Sequence, residues 1–330
     1  MKGNIMRTRQ LGNTDINLTT IGFGTWAIGG SGWQYGWGPQ DDKESIQAII
    51  RAVELGVNWI DTAAVYGLGH SEEVVGKAVK ELEEEIIIAT KCGRGWNDDG
   101  TIFGRLSKES VKQECEDSLR RLDIERIDLY QIHWPDPEEY IEEAWEAMSE
   151  LVQEGKVKYG GVSNFSPEQI ERIAYILPVV SNQPPYSMLR RDIEENLLDY
   201  CRDKNIGIVA YSPMQKGLLT GKYSKETIDA LPEDDHRHND SRFKEPQLSI
   251  NLELVKGLKK VAEKNGKTCA QLALAWVLSK EEITSAITGT RKASQIEETV
   301  EAGNWELSDE IIGELDRLLE EREQKLKEIG

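Results

Sequence analysis

The chain has 330 residues, 38% of them hydrophobic and 7% aromatic, which is enough to bury a large core within one domain, as α/β barrels of this size do. A formal net charge of −19 argues against nucleic acid or an anionic membrane as the main partner, because both require clustered Lys and Arg. No stretch reaches the apolar length of a membrane-crossing helix, and the opening MKGNIMRTRQ lacks the apolar centre of a signal peptide, so a soluble cytoplasmic protein is expected.

In chain order, residues 7–18 come first, with Gly12-Asn13 between short polar and apolar runs, and read as a small β-hairpin. Eight short β-branched runs then alternate with longer segments of helical period. The strands are expected at 21–24, 57–61, 86–91, 127–133, 158–162, 179–183, 207–211 and 284–289. The helices are expected at 42–55, 71–82, 108–122, 138–155, 167–176, 192–204, 251–279 (two helices broken near Gly266) and 292–302. Ser166-Pro167-Glu168-Gln169 offers a hydroxyl cap, a proline at the first helical position and a glutamine that can close a capping box, and Asp41 with Glu44 repeats that logic. The segment 212–250 is too long for an ordinary connection and reads as a cover for the rim, while 308–327 reads as a charged helix packed on the outside. Strand and helix repeated eight times predict an α/β fold, a (β/α)8 TIM barrel with an N-terminal β-hairpin and an extra C-terminal helix, in a single domain over 1–330.

In such a barrel the carboxyl ends of the strands face one opening. Asp61, Tyr66, Lys91 and His133 lie at or just past three successive strand ends, which brings an acid, a phenol, an amine and an imidazole to one rim. A phenol ionises near pH 10, and a neighbouring ammonium favours its phenolate, so Lys91 held by Asp61 is expected to acidify Tyr66 as a proton donor. Each residue alone has a plainer reading, a turn cap for Asp61 and a hydrogen-bonded core residue for His133; their company makes the case. Trp26, Trp33, Trp37, Trp96 and Trp134 flank rim motifs and are candidates for an apolar substrate pocket, Trp26 and Trp134 foremost.

Other signals carry less. GFGTWA fits G-x-G-x-x-A, but no helix opens at those glycines, so a Rossmann site is rejected. His236 and His238 lack a third ligand in view, strand one lacks an H-x-H pair, and no metal is expected. His70 reads as a loop residue. Cys92, Cys115, Cys201 and Cys269 are widely spaced, which fits reduced, mostly buried thiols.

The motifs GFGTW, WIDTAAVYG, ATKCG, QIHWPD, GVSNF, NQPPYS and AYSPMQKGLLTGKY, in this order on these strands, make the chain resemble the aldo-keto reductases, nearest to their bacterial and channel-subunit branches by SPMQKGLLTGKY and ITGTRKASQIEE. The resemblance implies an NADPH-dependent reductase of small aldehydes or ketones, with Asp61, Tyr66, Lys91 and His133 as catalytic residues and Tyr66 donating the proton. Trp26, Tyr66, His133 and Trp134 would form the substrate pocket. Cofactor contacts would come from Gly24, Thr25, Trp26 and Asp61; from Ser163, Asn164 and Gln183 at the carboxamide; and from Tyr211 stacked on the nicotinamide. Ser212, Pro213, Met214, Gly217, Leu218 and Lys222 would line the pyrophosphate path. Gly289, Thr290, Arg291, Gln295 and Glu298 would meet the adenosine end, with Arg291 or Lys292 on the 2′-phosphate. The resemblance also implies an alternative, a cofactor-binding, redox-sensing regulatory subunit with little turnover.

Overall fold

A computed structural model describes residues 6–232 and 235–329. The chain opens with β1 (Thr8–Gln10) and β2 (Asn17–Thr19), an antiparallel hairpin in which Arg9 faces Leu18. There follow β3 (Ile21–Gly24), α1 (Asp42–Glu54), β4 (Trp59–Asp61), α2 (His70–Val79) and β5 (Ile87–Cys92). A second hairpin, β6 (Arg94–Trp96) with β7 (Ile102–Gly104), interrupts the alternation before α3 (Lys108–Leu122), β8 (Ile127–Ile132) and α4 (Ile141–Gln153). Then come β9 (Val157–Ser163), α5 (Pro167–Ile173), β10 (Ser181–Gln183), α6 (Leu197–Asp203) and β11 (Gly207–Ala210). The last part holds α7 (Lys225–Asp229), α8 (Gln247–Lys264), α9 (Cys269–Leu278), β12 (Ile283–Gly289), α10 (Ala293–Thr299) and α11 (Asp309–Ile329).

Eight of these strands close a parallel barrel in the order β10-β11-β12-β3-β4-β5-β8-β9. Its register sets the site: Gly24 lies beside Asp61, Lys91 beside Gln131, and Gln183 beside Ser163. Three strand ends a long way apart in sequence thus reach the same level of the mouth.

The opposite end is sealed. Leu11, Ile16 and Leu18 of the hairpin are buried against Trp59, Leu129, Val180 and Val209. The Trp59 indole N–H donates to the carbonyl of Thr19 and to Ser285 Oγ, both at 3.2 Å, and Gly22 makes room for its ring, since a β-carbon there would fall 2.1 Å from it. A fully buried side chain of this size contributes about 1.5–3 kcal/mol, so the plug is a substantial part of the fold.

Helix signals act as expected at α5, where Ser166 and Gln169 close the capping box. At α1 the Asp41 carboxylate caps Lys43 N, but Glu44 does not complete a box; it pairs instead with Lys292 at 3.3 Å. His70, read as a loop residue, begins α2 and its ring bonds Asp42 at 2.8 Å. The expected break near Gly266 falls there, at φ +65°, but α8 starts at Gln247, four residues ahead of the expected start. Among the described residues of the segment 212–250, Leu218, Leu219, Ile228 and Phe243 are buried, anchoring short helical turns. All four cysteines are free and buried. His238 Nε2 donates to the Pro232 carbonyl, while the side chain of His236 and residues 1–5 of the opening segment lie outside the described residues. Among the described residues no helix is long and apolar enough to cross a membrane.

Candidate active site

Lys91 is the centre of the rim. Its side chain is fully buried, and its three N–H bonds find three acceptors: Asp61 Oδ2 at 2.7 Å, the Thr62 carbonyl at 2.9 Å and the Tyr66 phenol oxygen at 3.3 Å. Burial pulls the Lys91 ammonium below its ordinary pKa, and the Asp61 carboxylate pushes back. Because the phenol oxygen accepts from Lys91, its own O–H is left to point elsewhere, and Tyr66 lines the cavity.

The expected acidification of Tyr66 is not found. Burial, and after it the Asp61 charge, hold the phenol well above its ordinary 10. The cause is pairing: a lysine whose charge is answered by a carboxylate at 2.7 Å presents little net field to a third group, and desolvation wins. Tyr66 is therefore a protonated phenol throughout the neutral range.

His133 leaves the end of β8 with its backbone N–H donating to the Cys92 carbonyl at 2.9 Å, and its ring meets Tyr66 edge-on at 5.8 Å. Burial first, then the positive charges of Lys91 and Arg94, drive its pKa well below 6.5, so the imidazole is neutral. Trp26 stacks on Tyr66, ring centres 6.0 Å apart. Trp33, Trp37 and Trp134 also line the cavity; Trp96 does not, and packs against the Trp33 and Tyr66 cluster.

Across the mouth the polar groups form one chain of bonds. Ser163 Oγ donates to the Gln183 carbonyl at 2.8 Å, and Asn164, at φ +64°, donates to the His133 carbonyl at 3.0 Å. Tyr211 donates to Asn164 Oδ1 at 2.9 Å, and burial pushes its own pKa up to about 12. Gln183 Nε2 donates to Asp61 Oδ1 at 2.8 Å, so the far wall touches the lysine's partner directly. Beyond Tyr211, Ser212, Gln215, Lys216 and Gly217 all take left-handed φ values, a concentration of local strain typical of functional segments.

Of the residues expected around a cofactor, Gly24, Thr25, Trp26, Asp61, Ser163, Asn164, Gln183, Tyr211, Ser212, Pro213, Met214, Gly217, Lys222, Gly289, Gln295 and Glu298 all line one cavity of about 750 Å³. Lys222 pairs with Glu298 at 2.9 Å. Four do not line it, one of them Lys292, the other cation expected at the 2′-phosphate. Leu218 is buried in the core; Thr290 is buried; and Arg291 turns to the segment 37–40, bonding Gln40 Oε1 at 2.6 Å, the Trp37 carbonyl at 3.3 Å and the Pro39 carbonyl. Sequence reasoning missed Gln131, whose Oε1 accepts from Gln183 at 3.3 Å, and missed Arg94, Arg190 and Lys216 on the cavity wall. For Arg94 a signal existed: it stands three residues past Lys91, at the mouth of the same strand.

The cavity has the size of a small-molecule site and a mixed lining. Amide and hydroxyl groups of Ser163, Asn164 and Gln183 suit a carboxamide, the Tyr211 ring offers a flat face, and Lys216 and Lys222 supply cations for phosphates, a donor set that fits a nicotinamide dinucleotide.

The sequence pattern described as the Aldo/keto reductase family matches residues 20–320. The chain is similar to Aldo-keto reductase YhdN of Bacillus subtilis, 39% identical over 318 residues that cover 96% of this chain and 94% of that protein. It is 34% identical to the NADH-specific methylglyoxal reductase of Escherichia coli, over 92% of this chain and 95% of that one. Among solved structures it is similar to a glycerol dehydrogenase from Gluconobacter oxydans, with a TM-score of 0.88 and 39% identity, covering 96% and 95% of the two chains.

Proposed function

The chain belongs to the aldo/keto reductase family, and on that footing we propose that it is a cytoplasmic NADPH-dependent reductase of small aldehydes or ketones, with Tyr66 as proton donor. The observation that carries this reading is the lysine bridge: Lys91 bonds Asp61 at 2.7 Å and the Tyr66 oxygen at 3.3 Å, which leaves the phenol O–H free for a ligand. A bound nicotinamide supplies the hydride. The chain's own residues then have three tasks. Neutral His133 donates a hydrogen bond that orients the carbonyl oxygen, Tyr66 delivers a proton to that oxygen as it becomes basic, and Lys91 stabilises the phenolate left behind. Trp26, stacked on Tyr66, excludes water from the transfer.

Preference for NADPH rests on the cations that follow β12: Arg291 is held by Gln40 and two carbonyls, all uncharged, and has to leave that segment to meet a 2′-phosphate. Lys292 is the weaker choice because Glu44 answers it. A panel of aldehydes and ketones read by the absorbance of NADPH and of NADH tests all of this together. Repeated turnover with higher kcat/KM for NADPH is expected. Equal use of NADH removes the cofactor preference, and a single stoichiometric oxidation without a second cycle favours the sensing subunit.

A further inference from the structure

The wall nearest the lysine bridge carries one strong positive charge that carbonyl reduction does not explain. Arg94, at the start of β6, lines the same cavity as Tyr66 and His133, and its guanidinium lies over the Trp134 ring at 5.7 Å. It is close enough to His133 to help depress the imidazole pKa. Only Nη1 is engaged, by Asp136 Oδ2 at 2.6 Å, and the Nε–Nη2 edge has no protein partner among the described residues. That edge is the one that takes a carboxylate or phosphate in a two-bond fork.

The surrounding charges leave Arg94 with little competition. Three carboxylates line the cavity, and each is already answered: Asp61 by Lys91, Asp240 by Lys216 at 3.0 Å, and Glu298 by Lys222 at 2.9 Å. Asp136 is the remaining counterion, and its side chain is 56% exposed. A one-bond pair with a carboxylate so open to water holds its partner weakly. In a chain of net charge −19, an arginine with its bidentate edge free beside the reacting groups is a recognition element rather than general surface charge.

We propose that Arg94 receives an anionic group on the substrate, so that the preferred substrates are carbonyl compounds bearing a carboxylate or phosphate a few bonds from the carbonyl. This inference rests on the reductase reading above. In it the carbonyl oxygen meets Tyr66 and His133, the acyclic body lies along Trp134, and the anion takes the free fork of Arg94. A purely structural Arg94, clasping β6 to the 134–136 segment through Asp136, accounts for the ion pair but not for an unused edge on a residue that lines the cavity.

Matched probes test it: succinic semialdehyde against butanal for a carboxylate, and glyceraldehyde 3-phosphate against glyceraldehyde for a phosphate. The readout is the ratio of kcat/KM, anionic over neutral, in each pair. The ratio is expected to exceed about tenfold for at least one pair, to collapse at least about tenfold in Arg94→Met through KM, and to rise about threefold or more in Asp136→Asn, which removes the negative charge that competes with the substrate anion for the guanidinium. The pair with the larger ratio identifies the anion. Ratios near unity in the unaltered enzyme, or ratios that stay constant while both variants lose all substrates alike, overturn the proposal and leave the reductase reading standing. If no probe is reduced while other aldehydes are, the proposal also falls alone. If no carbonyl compound of any kind oxidises the cofactor, the reductase reading falls and this inference with it.

Discussion

An ammonium has three N–H bonds, and at Lys91 all three are used, by Asp61, Thr62 and Tyr66. That count fixes the polarity of the phenol: its oxygen accepts, and its hydrogen is available to a ligand. Burial and Asp61 keep the phenol well above pH 10, while burial keeps His133 neutral well below 6.5. The sign for activity follows from both shifts. A donor whose pKa is raised stays protonated as pH rises, and an imidazole whose pKa is lowered stays neutral as pH falls. The kcat/KM for carbonyl reduction is therefore expected to be flat between about pH 7 and 9. A descending limb inside that window that disappears in Tyr66→Phe contradicts the protonated-phenol picture. Simple proximity of Lys91 to Tyr66 pointed the other way: the Lys91–Asp61 pair was expected, but not that burial of the phenol would outweigh the field left by a lysine paired at 2.7 Å.

Among the elements, the β1–β2 hairpin sits at the end of the barrel opposite the rim that holds Lys91 and Tyr66, so its burial bears on stability and leaves the proposed chemistry to the rim. Leu11 is fully buried between Trp59 and the strands it plugs. Leu11→Ala is expected to cost about 2–5 kcal/mol in chemical denaturation while KM at temperatures well below unfolding stays within about threefold. A loss below about 1 kcal/mol would show that the plug is not needed. Most elements were legible because their period and caps agree: eight alternations, the Ser166 box and the break at Gly266 all follow local chemistry. The β6–β7 hairpin was not foreseen, although Asn97-Asp98-Asp99-Gly100 between Trp96 and Ile102 carries an Asp-Gly turn signal. Short runs of three residues fall below what periodicity can register. Side-chain direction was the other blind spot. Position after β12 put Arg291 beside a phosphate, whereas the structure ties it to the 37–40 segment, a contact 251 residues away in sequence at Gln40. Leu218 is alike: Gly217 and Thr220 line the groove, while its own side chain is buried in the core.

For the whole molecule, closure of the barrel is what converts scattered residues into a site. Register alone sets Asp61 beside Gly24 and Lys91 beside Gln131, and Gln183 then reaches across to Asp61, joining the Ser163 side of the mouth to the lysine bridge at 2.8 Å. The account stands on Tyr66 as the donor, and pre-steady-state reduction in Tyr66→Phe tests it most directly. With NADPH bound and an aldehyde mixed in, single-turnover oxidation is expected to slow by about a hundredfold or more, while the NADPH Kd measured by fluorescence changes less than about threefold. Oxidation within about threefold of the unaltered enzyme, at unchanged Kd, contradicts the claim.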